Sequence, residues 1–357
     1  NWFGNACGKV CPTQELCEGA CVYNHQDIKP IDIGRLQNYA TEAVMQSNKT
    51  LFAPGPDNGH KVAIIGAGPA GIATACELRV LGYDVHIFEA KDKPSGLTVY
   101  GTAPYKITNE EALREMDYLQ NQLGFKIHFR APIDTPEKLK EITDNYEAVF
   151  LGLGLGATAW LGIPGEDLPG VVGAVEFVEE LRMTKHSMRI PDRVVVIGGG
   201  NTAMDAASES ARMGAEQVYL VYRRTKQDMG AYDFEYATAL SAGVKGVFEA
   251  SPLAILGKEK ATAVQFKKTD GSTFEIECDL VIKATGQAKQ GKFMEMLPEI
   301  TLDAKGRIEV NESYQTSAPN FFAGGDAVNG GAEVVNAAYE GKKAALGIHQ
   351  FIQNKTV

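Results

Sequence analysis

The sequence has no surplus of positive charge. Its formal net charge is −10 and its lysines and arginines are scattered, so nothing in it offers a basic footprint to a polyanion. Nucleic acid is therefore not an expected partner. Long hydrophobic runs are also missing. The longest uncharged stretch, 148–165, has 18 residues, but five are glycine and one is proline, so it reads as a buried strand and a loop rather than a membrane span. No basic segment followed by an apolar one stands at the N-terminus, and the expected location is cytoplasmic. The six histidines are dispersed, with neither a Ser/His/Asp set nor a metal-binding spacing. No side chain is singled out as catalytic, which suits hydride transfer, where orientation of two rings matters more than a general acid.

Cysteine is scarce beyond residue 21: only Cys76 and Cys278 occur there, each inside an apolar segment. The other four, Cys7, Cys11, Cys17 and Cys21, fall within fifteen residues, and Pro12 follows Cys11. A cysteine-proline pair is also seen at iron–sulfur clusters, and thiols this close suggest metal or redox work. A zinc-type knot, a disulfide staple or free thiols stay open at this point, because no C-x-x-C pair is present.

What the sequence does contain is a globular composition, 44% hydrophobic and 22% charged, over 357 residues, which predicts two or three domains. A β-rich run ending in glycines occurs twice, at 61–71 and 193–203, and each is followed by a helical stretch and a second β run. Two parallel βαβ units of dinucleotide-binding type follow from this. The expected fold is α/β with two Rossmann-like domains, the second inserted in the first, behind a short helical cysteine-rich region. The expected boundaries are 1–55 for that region, 56–165 and 288–357 for the two parts of an FAD-binding domain, and 166–287 for an NAD(P)H-binding domain.

In the first unit Gly66, Gly68 and Gly71 have the G-x-G-x-x-G spacing around Pro69 and Ala70. The first glycine permits the turn, the second lets backbone approach a pyrophosphate, and the third lets helix meet sheet. Glu89, followed by Ala90, stands 23 residues after Gly66 at the end of the second strand, where an acid accepts from ribose hydroxyls. FAD is the expected ligand. The second unit has Gly198, Gly200 and, in the third place, Ala203. Its second strand ends not in an acid but in Arg223 and Arg224, 25 and 26 residues after Gly198. A guanidinium there favours a 2′-phosphate, so NADP is expected, with NAD still possible should the arginines be merely solvated.

Gly325 and Asp326 follow a strand, and a helix begins near Glu333 and Val334. Such an aspartate holds a ribityl chain, and such a helix N-terminus favours negative charge on a flavin ring. The strand-like 280–286, ending in Thr285 and Gly286, and its counterpart at 148–154 read as the crossings between domains.

Taken together, these motifs resemble the glutamate synthase small-subunit family, over essentially the whole chain. The stretch from Cys11 to Cys21, with 29–41 after it, is most similar to the flavin subunit of bacterial NAD(P)-dependent dihydropyrimidine dehydrogenase. That resemblance implies that Cys11, Cys17 and Gln37 ligate one [4Fe-4S] cluster, that Cys21 contributes to a second, and that Cys7 is a bystander. It implies too that Lys106 meets the flavin or its phosphates, that Gly96 and Leu97 line the flavin, and that Asn201, Thr202 and Asp205 lie beside the nicotinamide nucleotide. Ser95 stands where relatives have glycine, and Gly230 where they have proline. Relatives carry further cysteines upstream that complete both clusters, so clusters are expected only with those ligands. The implied function is an electron-input enzyme. NADPH reduces FAD, and electrons pass to an FMN-containing or iron–sulfur acceptor subunit, most similar to the pyrimidine-reducing one. A glutamate synthase small subunit, an NADPH-ferredoxin oxidoreductase and a non-catalytic flavoprotein scaffold are the alternatives.

Overall fold

The structure, a computed structural model, describes residues 1–185 and 187–356. The chain divides into two compact units. One comprises Asn1–Val99, Tyr105–Leu155 and Lys289–Val357, the other Tyr100–Pro104 and Gly156–Ala288. The discontinuous first unit is the α/β nesting expected from the strand-and-helix repeats.

The strands that build the two units are, in the first half of the chain, β1 (Lys61–Ile65), β2 (Asp84–Phe88), β3 (Lys126–His128), β4 (Ala148–Leu151) and β5 (Val171–Gly173). They continue with β6 (Arg193–Ile197), β7 (Gln217–Val221), β8 (Lys245–Val247), β9 (Ala250–Leu256), β10 (Ala263–Lys268), β11 (Thr273–Glu277), β12 (Leu280–Lys283) and β13 (Phe321–Ala323). The first unit holds a parallel sheet of order β13-β4-β1-β2-β3, and the second a parallel sheet of order β5-β12-β6-β7-β8 beside an antiparallel β11-β10-β9. In both parallel sheets the strand that precedes the glycines, β1 or β6, is paired on both edges, and its apolar residues are buried on both faces, as in sheets covered on either side. That position carries each glycine turn to the carboxyl edge of the sheet, where ligands bind in open α/β folds.

The helices that carry or brace the candidate site residues are α1 (Gly4–Val10), α2 (Ile33–Gln46), α3 (Pro69–Val80), α4 (Asn109–Leu123), α5 (Asn201–Arg212) and α6 (Val334–Thr356). Helix α3 is buried nearly all round because small residues let sheet and α6 close on it together. At the closest approach a Cβ on Gly341 would stand 2.2 Å from the Ala70 carbonyl oxygen, and Thr74 Oγ1 donates to the Gly341 carbonyl at 3.0 Å. Among the described residues, no helix is long and apolar enough to cross a membrane.

The cysteine-bearing start is tied down by one buried acid. Glu115, on α4, is 5% exposed and accepts from the Asn5 and Ala6 amides at 2.6 and 3.0 Å. Burial pushes its carboxyl up to about 7 despite those two bonds. The folded state therefore holds this proton more tightly than the unfolded chain, whose carboxyl titrates near its ordinary value of 4.5. Stability from this group is complete below that value and is lost as pH rises through about 7, a change on the order of 3 kcal/mol. Glu115→Gln removes the titration. Its unfolding free energy relative to the natural chain should rise between pH 5 and pH 8 in denaturant titrations, whereas a constant offset would contradict the assignment.

Candidate functional site

In the first unit, the turn after β1 packs too tightly for any side chain at two of its three glycines. Gly66 has φ +103°, and a Cβ there would lie 2.3 Å from the Gly152 carbonyl oxygen. One on Gly71 would lie 2.0 Å from the Gly66 carbonyl oxygen. Gly68 differs, since a Cβ on it would meet no heavy atom within 4 Å. Its freedom from side chain serves no protein contact, and the open space sits over the N-terminus of α3, where Pro69 occupies the first turn. An anion fits there, because the unpaired amides and the helix dipole both favour it.

Glu89 lies beside this turn. Its carboxylate accepts from the Ala67 amide at 2.7 Å and the Lys91 amide at 2.8 Å, one bond per oxygen, which leaves acceptor capacity on each for hydroxyl donors. Ala90 next to it is exposed. The segment around Gly96 and Leu97 packs onto the glycines: the Ser95 amide donates to the Ala67 carbonyl at 2.7 Å, and a Cβ on Gly96 would stand 3.0 Å from Gly68 Cα. Ser95 has φ +81°, the left-handed region that favours glycine. Its hydroxyl and that of Thr98, each on a residue 1% exposed, have no hydrogen-bond partner among the described residues. Two buried hydroxyls without a partner stand next to the segment that packs on Gly68, an arrangement that calls for an explanation beyond the protein's own contacts. Lys106 is half-buried, with Nζ 5.6 Å from the Tyr105 ring centre.

Gly325 and Asp326 stand where β13 ends, and Asp326 opens a single helical turn, Asp326–Asn329. Burial pushes the Asp326 carboxyl up, while the Ala332 amide, at 3.3 Å, and Lys289 oppose that. Glu333 and Val334 follow at the start of α6. Sequence reasoning missed Glu340, a buried acid on α6 that accepts from the Gly325 amide at 2.6 Å.

In the N-terminal region Cys11 is half-buried, Cys17 exposed and Cys21 buried, and all six cysteines are free thiols. Gln37 Nε2 donates to the Gly4 carbonyl at 2.6 Å. Among the described residues, no three Cys, His, Asp or Glu side chains are gathered to hold a metal ion. Three thiols and one amide fall short of the eight ligands that two [4Fe-4S] clusters take.

In the second unit the same turn recurs with different contacts. A Cβ on Gly198 would meet the Ala284 carbonyl oxygen at 2.3 Å, whereas one on Gly200 would meet nothing within 4 Å. Asn201 and Thr202 open α5. The Asn201 side-chain oxygen accepts from the Tyr232 amide at 3.1 Å, Thr202 is exposed, and Asp205 is 5% exposed one turn on. Arg223 and Arg224 are exposed just after β7, and neither side chain is held by a hydrogen bond or ion pair among the described residues. Tyr222 fixes their approach: its ring covers Gly199, and its hydroxyl donates to the Asp228 carbonyl at 2.9 Å. Thr285 is exposed and Gly286 has φ +97°, its carbonyl accepting from the Ala159 amide at 2.9 Å. A buried ion pair that sequence reasoning also missed, Lys283–Glu166 at 2.8 Å, stiffens the end of β12.

Residues 60–341 match the family described as pyridine nucleotide-disulphide oxidoreductase, and residues 1–49 match dihydropyrimidine dehydrogenase domain II, 4Fe-4S cluster. The glutamate synthase [NADPH] small chain of Escherichia coli is 33% identical, over 99% of this chain and 81% of that protein. The NAD-dependent dihydropyrimidine dehydrogenase subunit PreT of Escherichia coli is 32% identical, over 99% of this chain and 83% of that protein. Among solved structures, Mycobacterium tuberculosis FprA in complex with NADPH has a TM-score of 0.69 at 19% identity, covering 85% of this chain and 86% of that one. Thioredoxin reductase of T. acidophilum has a TM-score of 0.67 at 24% identity, covering 81% and 97%. At those identities the two structures speak for the fold alone.

Proposed function

The chain belongs to the pyridine nucleotide-disulphide oxidoreductase family, and from that premise we propose that it takes a hydride from NADPH into a bound FAD and hands the electrons on to a partner subunit. The observation that carries this reading is the pair of side-chain-free gaps at Gly68 and Gly200, one in the turn whose Ala67 amide Glu89 holds and the other next to Gly199, on which Tyr222, the residue before Arg223 and Arg224, packs. Two gaps of one design with opposite charges nearby suit two dinucleotides that differ at the ribose.

Each residue named has a task of binding or orientation. The amides at the start of α3 and α5 receive the two pyrophosphates. Glu89 accepts from the ribose of FAD. Asp326 accepts from the ribityl chain, and the N-terminus of α6 favours negative charge at the ring. Lys106 adds a cation to the same ligand. Arg223 and Arg224 receive the 2′-phosphate of NADPH, with Asn201, Thr202 and Asp205 along the rest of that nucleotide. When bound, FAD supplies the conversion from two-electron to one-electron chemistry.

The exit for electrons is not a thiol pair within the matched region. Cys76 and Cys278 are both fully buried; burial drives the Cys76 thiol far up and the Cys278 thiol up to about 12, so neither is a reactive thiolate. The cysteine-rich start is the proposed exit, with Cys11, Cys17, Cys21 and Gln37 as ligands toward [4Fe-4S] clusters whose remaining ligands come from elsewhere. The proposed acceptor is an FMN-containing or iron–sulfur subunit that reduces a pyrimidine, a reading supported by the match of residues 1–49. Flavin-loaded protein should oxidise NADPH with ferricyanide, a one-electron acceptor, consuming two ferricyanide ions per NADPH, and should leave uracil untouched without a partner. Absence of ferricyanide turnover would remove the proposal.

A further inference from the structure

Glu340 is an acid among the buried alanines of α6. Ala337, Ala338 and Ala344 surround it along the helix, and it is 9% exposed. A carboxylate in such a place is costly unless both oxygens are bonded. Both are: Oε2 accepts from the Gly325 amide at 2.6 Å, and Oε1 accepts from Asn329 Nδ2 at 3.0 Å. The two donors flank the single turn that Asp326 opens. Asn329 is fixed from its other side as well, since its Oδ1 accepts from the Gly331 amide at 2.8 Å. Gly325 has φ +73° and ψ −156°, a backbone conformation that side chains exclude, so a bond on its amide fixes the Gly324–Gly325 peptide plane from which the chain turns into Asp326.

We infer that Glu340 is the positioning residue of the flavin site, an acceptor-only clamp that grips both ends of the Asp326–Asn329 turn and so aims Asp326 at the ribityl chain. This role rests on the proposed binding of FAD in the first unit. Its content lies in the polarity of the network. Only a carboxylate offers two acceptors in this space. In Glu340→Gln one acceptor becomes an NH2, which must face either the Gly325 N–H or the Asn329 NH2. Asn329 cannot turn over to relieve the clash, because that would point its NH2 at the Gly331 N–H. Asn329→Asp alone fails for the converse reason, setting two buried carboxylates against each other. The pair together restores every bond: the new amide donates to the new carboxylate, while Gly325 and Gly331 keep their acceptors.

The test is FAD affinity of the full chain, by titration of apoprotein with flavin, alongside the melting temperature of each apoprotein. Each single variant should weaken FAD binding roughly tenfold or more. The double variant Glu340→Gln/Asn329→Asp should recover affinity to within about threefold of the natural chain, as a restored network requires. Losses that add in the double variant, or single variants that bind FAD normally, would overturn the inference. Rescue of melting temperature without rescue of FAD affinity would make Glu340 a folding residue only, and would overturn it too. A natural chain that takes up no flavin would instead bring down the flavin reading first, and this role with it.

Discussion

Gly68→Ala should yield a protein that folds as before and no longer retains flavin. The two halves of that result have separate causes. Folding is spared because the added Cβ would meet no heavy atom within 4 Å, and Gly68 has φ −74°, which any residue adopts. Binding is lost because the same methyl occupies the open space at the turn, where backbone must come within hydrogen-bond reach of the pyrophosphate. Moving the phosphates off those amides forfeits several charge-assisted bonds, an expected loss on the order of 100-fold in FAD affinity. Gly71→Ala is the control with the opposite sign: its Cβ would stand 2.0 Å from the Gly66 carbonyl oxygen, so it should fail to fold well before flavin is considered. Circular dichroism and flavin absorbance on the same samples separate the two. Gly68→Ala protein that stays yellow would show that the open gap is not where the pyrophosphate sits.

Arg223→Ala should raise the KM for NADPH roughly 10- to 100-fold while changing that for NADH little, as expected when charge-assisted bonds to a phosphate are removed. Both Arg223 and Arg224 are exposed, and Arg224 has Asp228 as an electrostatic neighbour, so their charge faces solvent and removal of Arg223 costs the fold little. The geometry next to them is not free to drift, because Tyr222 is packed on Gly199 and Thr225 Oγ1 donates to Asp228 Oδ2 at 2.6 Å. A positioned loop with exposed guanidiniums suits recognition of a dianion. Steady-state kinetics with both coenzymes reads the result directly, and equal changes for NADPH and NADH would remove the phosphate assignment. Relatives of nearly equal identity are named for NADPH in one case and NAD in the other, so the measurement decides what likeness leaves undecided.

The α/β architecture was legible because the two glycine turns and their flanking β runs are local signals. Strand β1 and helix α3 occupy 61–65 and 69–80, and β6 and α5 occupy 193–197 and 201–212, all within stretches whose residue pattern already carries the turn. The antiparallel β11-β10-β9 sheet was not foreseen, since its strands pair only with one another and carry no motif. Glu89 was legible by its distance from Gly66, but its bond to the Ala67 amide was not, because that contact depends on how β2 lies against β1. Glu340 and Glu115 escaped for a shared reason. Each is a buried acid whose donors come from distant chain, the Gly325 amide in one case and the Asn5 and Ala6 amides in the other, and sequence spacing carries no trace of such pairs. Ser95 departs from the glycine of relatives, and the structure supplies what the departure entails: a side chain at φ +81° whose buried hydroxyl has no partner among the described residues.

Hydride transfer between the two nucleotides is tested most directly by mixing flavin-loaded protein with NADPH in the absence of oxygen and following the yellow absorbance in a stopped-flow instrument. Rapid bleaching in a single turnover, with one NADPH consumed per flavin, is the expected result. Flavin that stays yellow through many seconds of exposure to saturating NADPH would contradict it, because two occupied nucleotide sites would then exist without passing a hydride between them.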